Sequence, residues 1–431
     1  MERSTRVAED AVIEMAARYS EGLPGYVDSS SLPRYVPPAF ETPPTFPVTV
    51  LLTGSTGNLG TYLLIDLLHD PRVNRVYTLD RAGKNAAIER QLASFADKGL
   101  DPIILASPKL VVLEGDACAE NLGHTEEVYA NLLDEVSIII HAAWRLNWNA
   151  DLDAFEPNIR ATRALVNFAR KARHAASLRF IFTSSIGSAH SWDAAARGPV
   201  PEELFEDPAV CIGGNGYGQS KYVAERLLAA SGIAFSSVRI GQASGGMPRG
   251  AWNTSAWFPT LVKLSLHLGV LSSDEQPVAW LPMDVVAHIM ADLMFSKTPL
   301  PPSLNVAHPR PILWSQMIKY VRVSLKRMAH RDLRIIPFHE WMLRLEAAAL
   351  QSSVDARDSR DTKLLWFFRQ VSTGDAFGRR FATAKAESLS ETVRNARSLK
   401  QRDVDSWVDY WAKRGLFRSE EESNTPLNSR L

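Results

Sequence analysis

The stretch VTVLLTGSTGNLG, residues 48–60, constrains the fold of this chain more than any other. Val48, Val50, Leu51 and Leu52 form the apolar run of a strand buried on both faces. Glycines at 54, 57 and 60 follow at once, and then a helical apolar pattern through Tyr62, Leu63, Leu64, Leu67 and Leu68. A strand, a glycine turn and a helix make a phosphate cradle, because the helix N-terminus presents free N–H groups to an anion. Gly54 is expected to take the tight turn, Gly57 to let the backbone approach a pyrophosphate, and Gly60 to let the helix pack close to the strand. Ser55, Thr56, Asn58 and Leu59 complete the loop as candidate cofactor contacts.

From Val48 onward, strand and helix alternate. Strands are expected at 48–53, 75–79, 110–114, 137–141, 179–184 and 234–240, with helices at 58–68, 84–96, 125–133, 154–172 and 218–230. Such alternation predicts an α/β fold with a doubly wound parallel sheet, whose crevice at the carboxyl strand ends takes a dinucleotide. With 431 residues, two lobes are expected. Lys plus Arg equal Asp plus Glu at 48 each, which excludes a nucleic-acid or membrane-surface protein by bulk charge, so specificity must come from a pocket. Cys118 and Cys211 share no metal or redox spacing, no apolar run is long enough to span a bilayer, and no metal site is expected. The reading is of a reducing, cytoplasmic compartment.

Residues 1–47 combine an amphipathic pattern through Val12, Ile13, Met15 and Ala16 with prolines at 24, 33, 37, 38, 43, 44 and 47. This reads either as a stiff linker following another domain or as an arm lying on the domain surface.

The strand ends carry the polar chemistry. Asp80-Arg81 closes the second strand about twenty residues after the glycine loop, where the adenosine ribose is read. Asp80 would accept from a 2′-hydroxyl and favour NAD; Arg81 would bind a 2′-phosphate and favour NADP. Lys84 and Arg90 add positive charge and tip the balance towards NADPH. Asp116, with Ala117, is placed to accept from the adenine amino group. His141, Ala142 and Ala143 end the fourth strand with small residues that let the nicotinamide end pass close. The fifth strand ends in Thr183-Ser184-Ser185, and YGQSK places Tyr217 and Lys221 four apart on one helix face. A neighbouring ammonium is expected to lower the phenol pKa and make Tyr217 a usable acid, while Ser185 polarises the same substrate oxygen and Lys221 also holds the nicotinamide ribose.

TGSTGNLG, TSS and YGQSK together resemble the extended short-chain dehydrogenase/reductase superfamily. IIIHAAWRLNWN, SVRIGQASGG, LPMDVVAHIM and DVDSWVDYWAKRGLF narrow the resemblance to the thioester reductase domains at the C-terminus of fungal-type carboxylic acid reductases and nonribosomal-peptide-synthetase-like proteins. The resemblance covers nearly all of the chain from Val48. It implies a Rossmann domain over 48–250, with 276–310 packing back on it, and a smaller, mostly helical substrate lobe over 251–431; residues 1–47 would be the linker after a carrier domain. It further implies catalysis by Ser185, Tyr217 and Lys221, NADPH on Gly54, Gly57, Gly60 and Arg81, and a phosphopantetheinyl carrier as partner delivering an acyl thioester that leaves as an aldehyde. Trp144, Trp148 and Gln242 are candidates for acyl contacts, with Trp252 and Trp257 as further aromatics. Two other readings stay open: an extended reductase or epimerase on a nucleotide sugar or sterol, and a non-catalytic NADP-binding sensor. Against the sensor, Tyr217 is present.

Overall fold

The computed structural model describes residues 2–39, 42–351, 365, 368–369 and 380–417. Six parallel strands, β1 (Val48–Thr53), β2 (Val73–Asp80), β3 (Leu110–Glu114), β4 (Ile138–His141), β5 (Arg179–Ser185) and β6 (Phe235–Ile240), pair with a seventh, Ser303–Val306. Their order across the sheet is Ser303–Val306, β6, β5, β4, β1, β2, β3. The direction of winding reverses between β1 and β4, so the crevice opens at their carboxyl ends. β1 is buried at all six residues, as an apolar run covered by helices on both faces requires. Among the helices are α1 (Glu2–Ser20), α2 (Asn58–His69), α3 (Ala87–Lys98), α4 (Glu126–Glu135), α5 (Glu156–Lys171) and the segment Gly216–Ala229. Helix α3 begins three residues later than its periodicity suggests, because the Glu114 carboxylate accepts from Ala87 N–H and caps it there. Lys84 therefore lies in the exposed loop ahead of the helix.

The chain divides into two compact units: Met1–Gln242 with Met283–Ala307 and Arg380–Asn395, and Ala243–Pro282 with His308–Arg379 and Ala396–Leu431. The first differs from the expected boundaries in three ways. It ends eight residues before 250, its returning segment is Met283–Ala307 rather than 276–310, and it regains residues 380–395, which no sequence pattern marks. Glu202 draws that last segment in. Its buried carboxylate accepts from Asn305 N–H at 3.2 Å and Ala386 N–H at 3.0 Å, while Asn305 Nδ2 donates to Ala382 O at 3.0 Å.

The N-terminal arm is integral to the first unit. Val12, Met15, Ala16 and Leu23 are buried in the same core as Phe168 and Leu227. Its carbonyls are held by two helices: Arg163 of α5 donates to Tyr19 O and Glu21 O, both at 2.7 Å, and Arg226 of the segment Gly216–Ala229 donates to Pro33 O. Gly25 N–H donates to Ala230 O at 2.9 Å and Val36 N–H to Ala229 O at 2.8 Å. Proline removes donors but leaves carbonyls, and arginines satisfy them.

The second unit is built around aromatics. Trp252, Trp257, Phe258, Trp280, Trp314, Trp407 and Trp411 are all buried together. The indole N–H groups of Trp407, Trp411 and Trp314 donate to Gly245 O, Trp252 O and Ser272 O at 3.0, 3.2 and 3.2 Å, as buried indoles require. Trp252 and Trp257 are thus core rather than pocket wall. In the apolar run 363–369, Phe368 is fully buried, and Lys363, Leu364, Trp366 and Phe367 lie outside the described residues.

Candidate active site

The glycine loop closes against the switch point. Gly54 has φ +78°, and a Cβ there would stand 2.8 Å from Ala143 N; one on Gly60 would stand 2.0 Å from Gly54 O. Neither position accepts a side chain without moving backbone. A Cβ on Gly57 meets only Gly54 O, at 3.2 Å, and Gly57 is exposed at the start of α2 with no side chain capping the helix. The loop therefore offers open backbone N–H groups where an anion is favoured. Asn58 is exposed and Leu59 half-buried in that first turn, and Ala142 and Ala143 are half-buried against Gly54.

His141 has a different task from the one expected of it. It is buried, with Nδ1 2.8 Å from Thr53 Oγ1 and Nε2 3.1 Å from Thr162 Oγ1. Thr162 donates its own proton to Asn158 O, and Thr53 Oγ1 accepts from Ala143 N–H. The proton therefore sits on Nε2, and Nδ1 accepts from Thr53. Burial, with Lys221 nearby, pushes its pKa down to about 3. The side chain is a neutral clamp joining β1, β4 and α5.

At the adenosine end, Arg81 is exposed beside the β2 terminus. Arg90 reaches back from α3 to donate to Arg81 O at 2.5 Å and lies 3.5 Å from Glu114, with its Nε buried and without a partner. Asp116 is exposed, one carboxylate oxygen accepting from Cys118 N–H at 2.9 Å, and Ala117 packs on the core. Asp80 turns inward: it is 4 % exposed, accepts from Ser55 Oγ at 2.5 Å, and burial pushes its pKa up.

Ser185, Tyr217 and Lys221 come together at the end of β5. Ser185 Oγ accepts from Gly187 N–H at 3.1 Å and stands close enough to the Tyr217 phenol to favour its ionised form. Lys221 Nζ donates to Thr183 O at 2.5 Å, lies 4.0 Å from the Trp144 ring centroid and 5.7 Å from that of Tyr217. The electrostatics differ from the expectation. Burial pushes Tyr217 up to about 12, opposed by Ser185, and holds Lys221 well below the ammonium range, with Glu225 acting the other way. A lysine that is itself desolvated is a weak stabiliser of phenolate, so desolvation of the phenol wins.

The expected acyl residues separate. Trp144 is half-buried, its indole donating to Ser220 Oγ at 3.2 Å and its face covering Lys221. Trp148 is 48 % exposed with its ring 4.9 Å from that of Tyr217. Gln242 is half-buried two residues past Ile240, the register partner of Ser185.

Several residues that hold the site were not singled out from the sequence. Glu225 and Arg239 form a fully buried pair at 2.6 Å, and Ser184 and Ser188 donate to the same carboxylate at 2.5 and 2.9 Å. This ties β5, β6 and the Tyr217 helix together. Gly218 and Gly216 flank Tyr217. A Cβ on Gly218 would lie 2.4 Å from Gly187 O, and one on Gly216 2.4 Å from Asp151 C. Glycine on both sides of the tyrosine was the available signal.

A family model described as male sterility protein, an NAD-binding domain, matches residues 52–290. The chain belongs to this family. Among its relatives, an adenylate-forming reductase of Serpula lacrymans, Nps11, is 43 % identical over 418 residues, covering 93 % of this chain and 37 % of that protein. The chain thus spans little more than a third of that relative's length. The terminal R domain of the myxalamid PKS-NRPS pathway has a similar fold, with a TM-score of 0.74 at 24 % identity over 95 % of this chain and 99 % of that one. A thiolation-reductase di-domain of an archaeal nonribosomal peptide synthetase gives 0.68 at 18 %, over 95 % and 81 %. The region that the family model matches contains the glycine loop, Ser185, Tyr217 and Lys221. Among the described residues no helix is long and apolar enough to cross a membrane.

Proposed function

We propose that the chain releases a carrier-bound acyl thioester as an aldehyde at the expense of NADPH. The observation that carries this reading is the convergence of Ser185 and Tyr217 at the end of β5, beside Lys221 and under the exposed ring of Trp148. The residues present fit a dinucleotide. The uncapped start of α2 at Gly57 suits a pyrophosphate, and Arg81 with the unpartnered Nε of Arg90 suits a 2′-phosphate. When bound, the nicotinamide supplies the hydride.

Ser185 and Tyr217 donate to the thioester carbonyl oxygen as negative charge grows on it. The high pKa of Tyr217 keeps its proton in place until that oxygen is basic enough to take it, giving a hemithioacetal. Tyr217 then takes the hydroxyl proton back as the C–S bond breaks. This yields an aldehyde and a thiolate that solvent protonates. Lys221 donates to Thr183 O, which braces the helix against β5, and retains N–H capacity for the nicotinamide ribose. Trp148, rather than Trp144, is assigned to the acyl chain.

Support for a carrier partner comes from the length of the adenylate-forming relative and from the fold shared with a thiolation-reductase pair. In this reading the substrate reaches the site already activated as a thioester. A spectrophotometric panel tests the proposal. NADPH should be oxidised with acyl-carrier and acyl-pantetheine thioesters, more slowly with truncated thioesters, and not with free acid plus ATP. Activity on nucleotide sugars with none on any thioester would refute it.

A further inference from the structure

Asp80 stands where a carboxylate commonly reads the adenosine ribose, yet its contacts run the other way. Ser55 Oγ donates to Asp80 Oδ2 at 2.5 Å. Gln91, from α3, sends Nε2 to Ser55 Oγ at 2.7 Å and Thr78 Oγ1 at 3.1 Å, and reaches Asp80 at 3.5 Å. Ser55 and Gln91 are fully buried and Asp80 is 4 % exposed. Donors from the glycine loop and α3 thus converge on Oδ2 of Asp80.

From this cluster, and resting on the NADPH reading above, we infer that Gln91 determines cofactor specificity: by anchoring Ser55 it withdraws Asp80 from the ribose and turns it into a latch for the glycine loop. Two consequences follow from the charges. A carboxylate free to face the ribose would accept from a 2′-hydroxyl and repel a 2′-phosphate, favouring NADH. Latched inward, it leaves the 2′ position to Arg81 and Arg90. Gln91 is a positioning residue, since it acts through Ser55 and Asp80.

The test is equilibrium binding of NADPH and NADH, followed by nicotinamide fluorescence, to the wild type, Gln91→Leu, Asp80→Asn and the double variant. Gln91→Leu keeps the volume and removes the amide. It should narrow the preference for NADPH over NADH by about tenfold, the scale of one charge-assisted hydrogen bond. Adding Asp80→Asn should restore the wild-type ratio, because the carboxylate that Gln91→Leu releases is then gone; a role in packing alone would show no such rescue. Asp80→Asn by itself should leave the NADPH-to-NADH affinity ratio within about twofold of the wild type, because any loosening of the glycine loop weakens both cofactors alike. Equal weakening of both cofactors by Gln91→Leu, or an NADH affinity that collapses in Asp80→Asn, would overturn the inference. The Asp80→Asn arm decides even if Gln91→Leu does not fold. A wild type that prefers NADH while Asp80→Asn changes nothing would refute the NADPH reading and leave the latch standing.

Discussion

Lys98 offers a quantitative test of how this fold treats a buried charge. It sits at the end of α3, 5 % exposed, with Ser94 Oγ at 2.8 Å as its hydrogen-bond acceptor and no carboxylate paired with it among the described residues. Burial lowers its pKa from 10.5 to about 8. Between those values the unfolded chain binds more protons than the native one, so this lysine makes stability rise with pH through the window. Below pH 8 the native state carries the whole penalty. The shift corresponds to roughly 3 kcal/mol. Lys98→Met keeps the stem, removes the charge and gives up one hydrogen bond of about 1 kcal/mol. Ser94 keeps its bond to Thr61. The expected outcome is a net gain of about 2 kcal/mol at pH 7 that falls to zero just below about pH 10 and turns into a loss of about 0.5 kcal/mol at pH 10.5. Urea denaturation of variant and wild type in parallel from pH 7 to 10.5 measures it, and the difference between them cancels every other titrating group. A variant that is less stable at pH 7, or whose gain does not change with pH, would refute the reasoning.

Two further outcomes follow from the site. Arg81→Ala should weaken NADPH by about 1.5 to 3 kcal/mol while leaving NADH nearly unchanged, measured by cofactor titration; equal loss of both would remove Arg81 from the 2′-phosphate. Gly218→Ala places a Cβ 2.4 Å from Gly187 O, so the turn bearing Ser185 and the helix bearing Tyr217 must part. Stability should fall by about 1 to 3 kcal/mol and turnover on the order of 10²-fold, with NADPH affinity little altered, as melting and steady-state kinetics would record.

How much of this was legible in the sequence depends on the range of the interaction. The glycine loop, the TSS strand end and the Tyr217–Lys221 spacing are local patterns, and six of the seven strands of the sheet follow from a plain periodicity, whereas Ser303–Val306 was not among the expected strands. Partners across the sheet leave no such mark. Glu225 and Arg239 are fourteen residues apart and look like two ordinary surface charges, yet both are fully buried. His141 reads as the end of a strand, and only the positions of Thr53 and Thr162 show that its ring is a clamp. The proline-rich arm reads equally as tether or arm, because its docking depends on arginines far along the chain. The tryptophans of the C-terminal region were visible, but residue type alone does not separate a pocket wall from a core.

The central claim is that Tyr217 moves the proton in the reduction of a thioester. Its most direct test is a single turnover of an acyl-pantetheine thioester with saturating NADPH, aldehyde and consumed NADPH being quantified together for wild type and Tyr217→Phe. The account predicts one aldehyde formed for each NADPH consumed in the first reduction by the wild type. It predicts a rate lower by about 10² to 10⁴ in the variant, with NADPH affinity close to the wild type. A Tyr217→Phe enzyme that kept more than about a tenth of the wild-type rate, or a wild type that consumed NADPH without forming aldehyde, would contradict it.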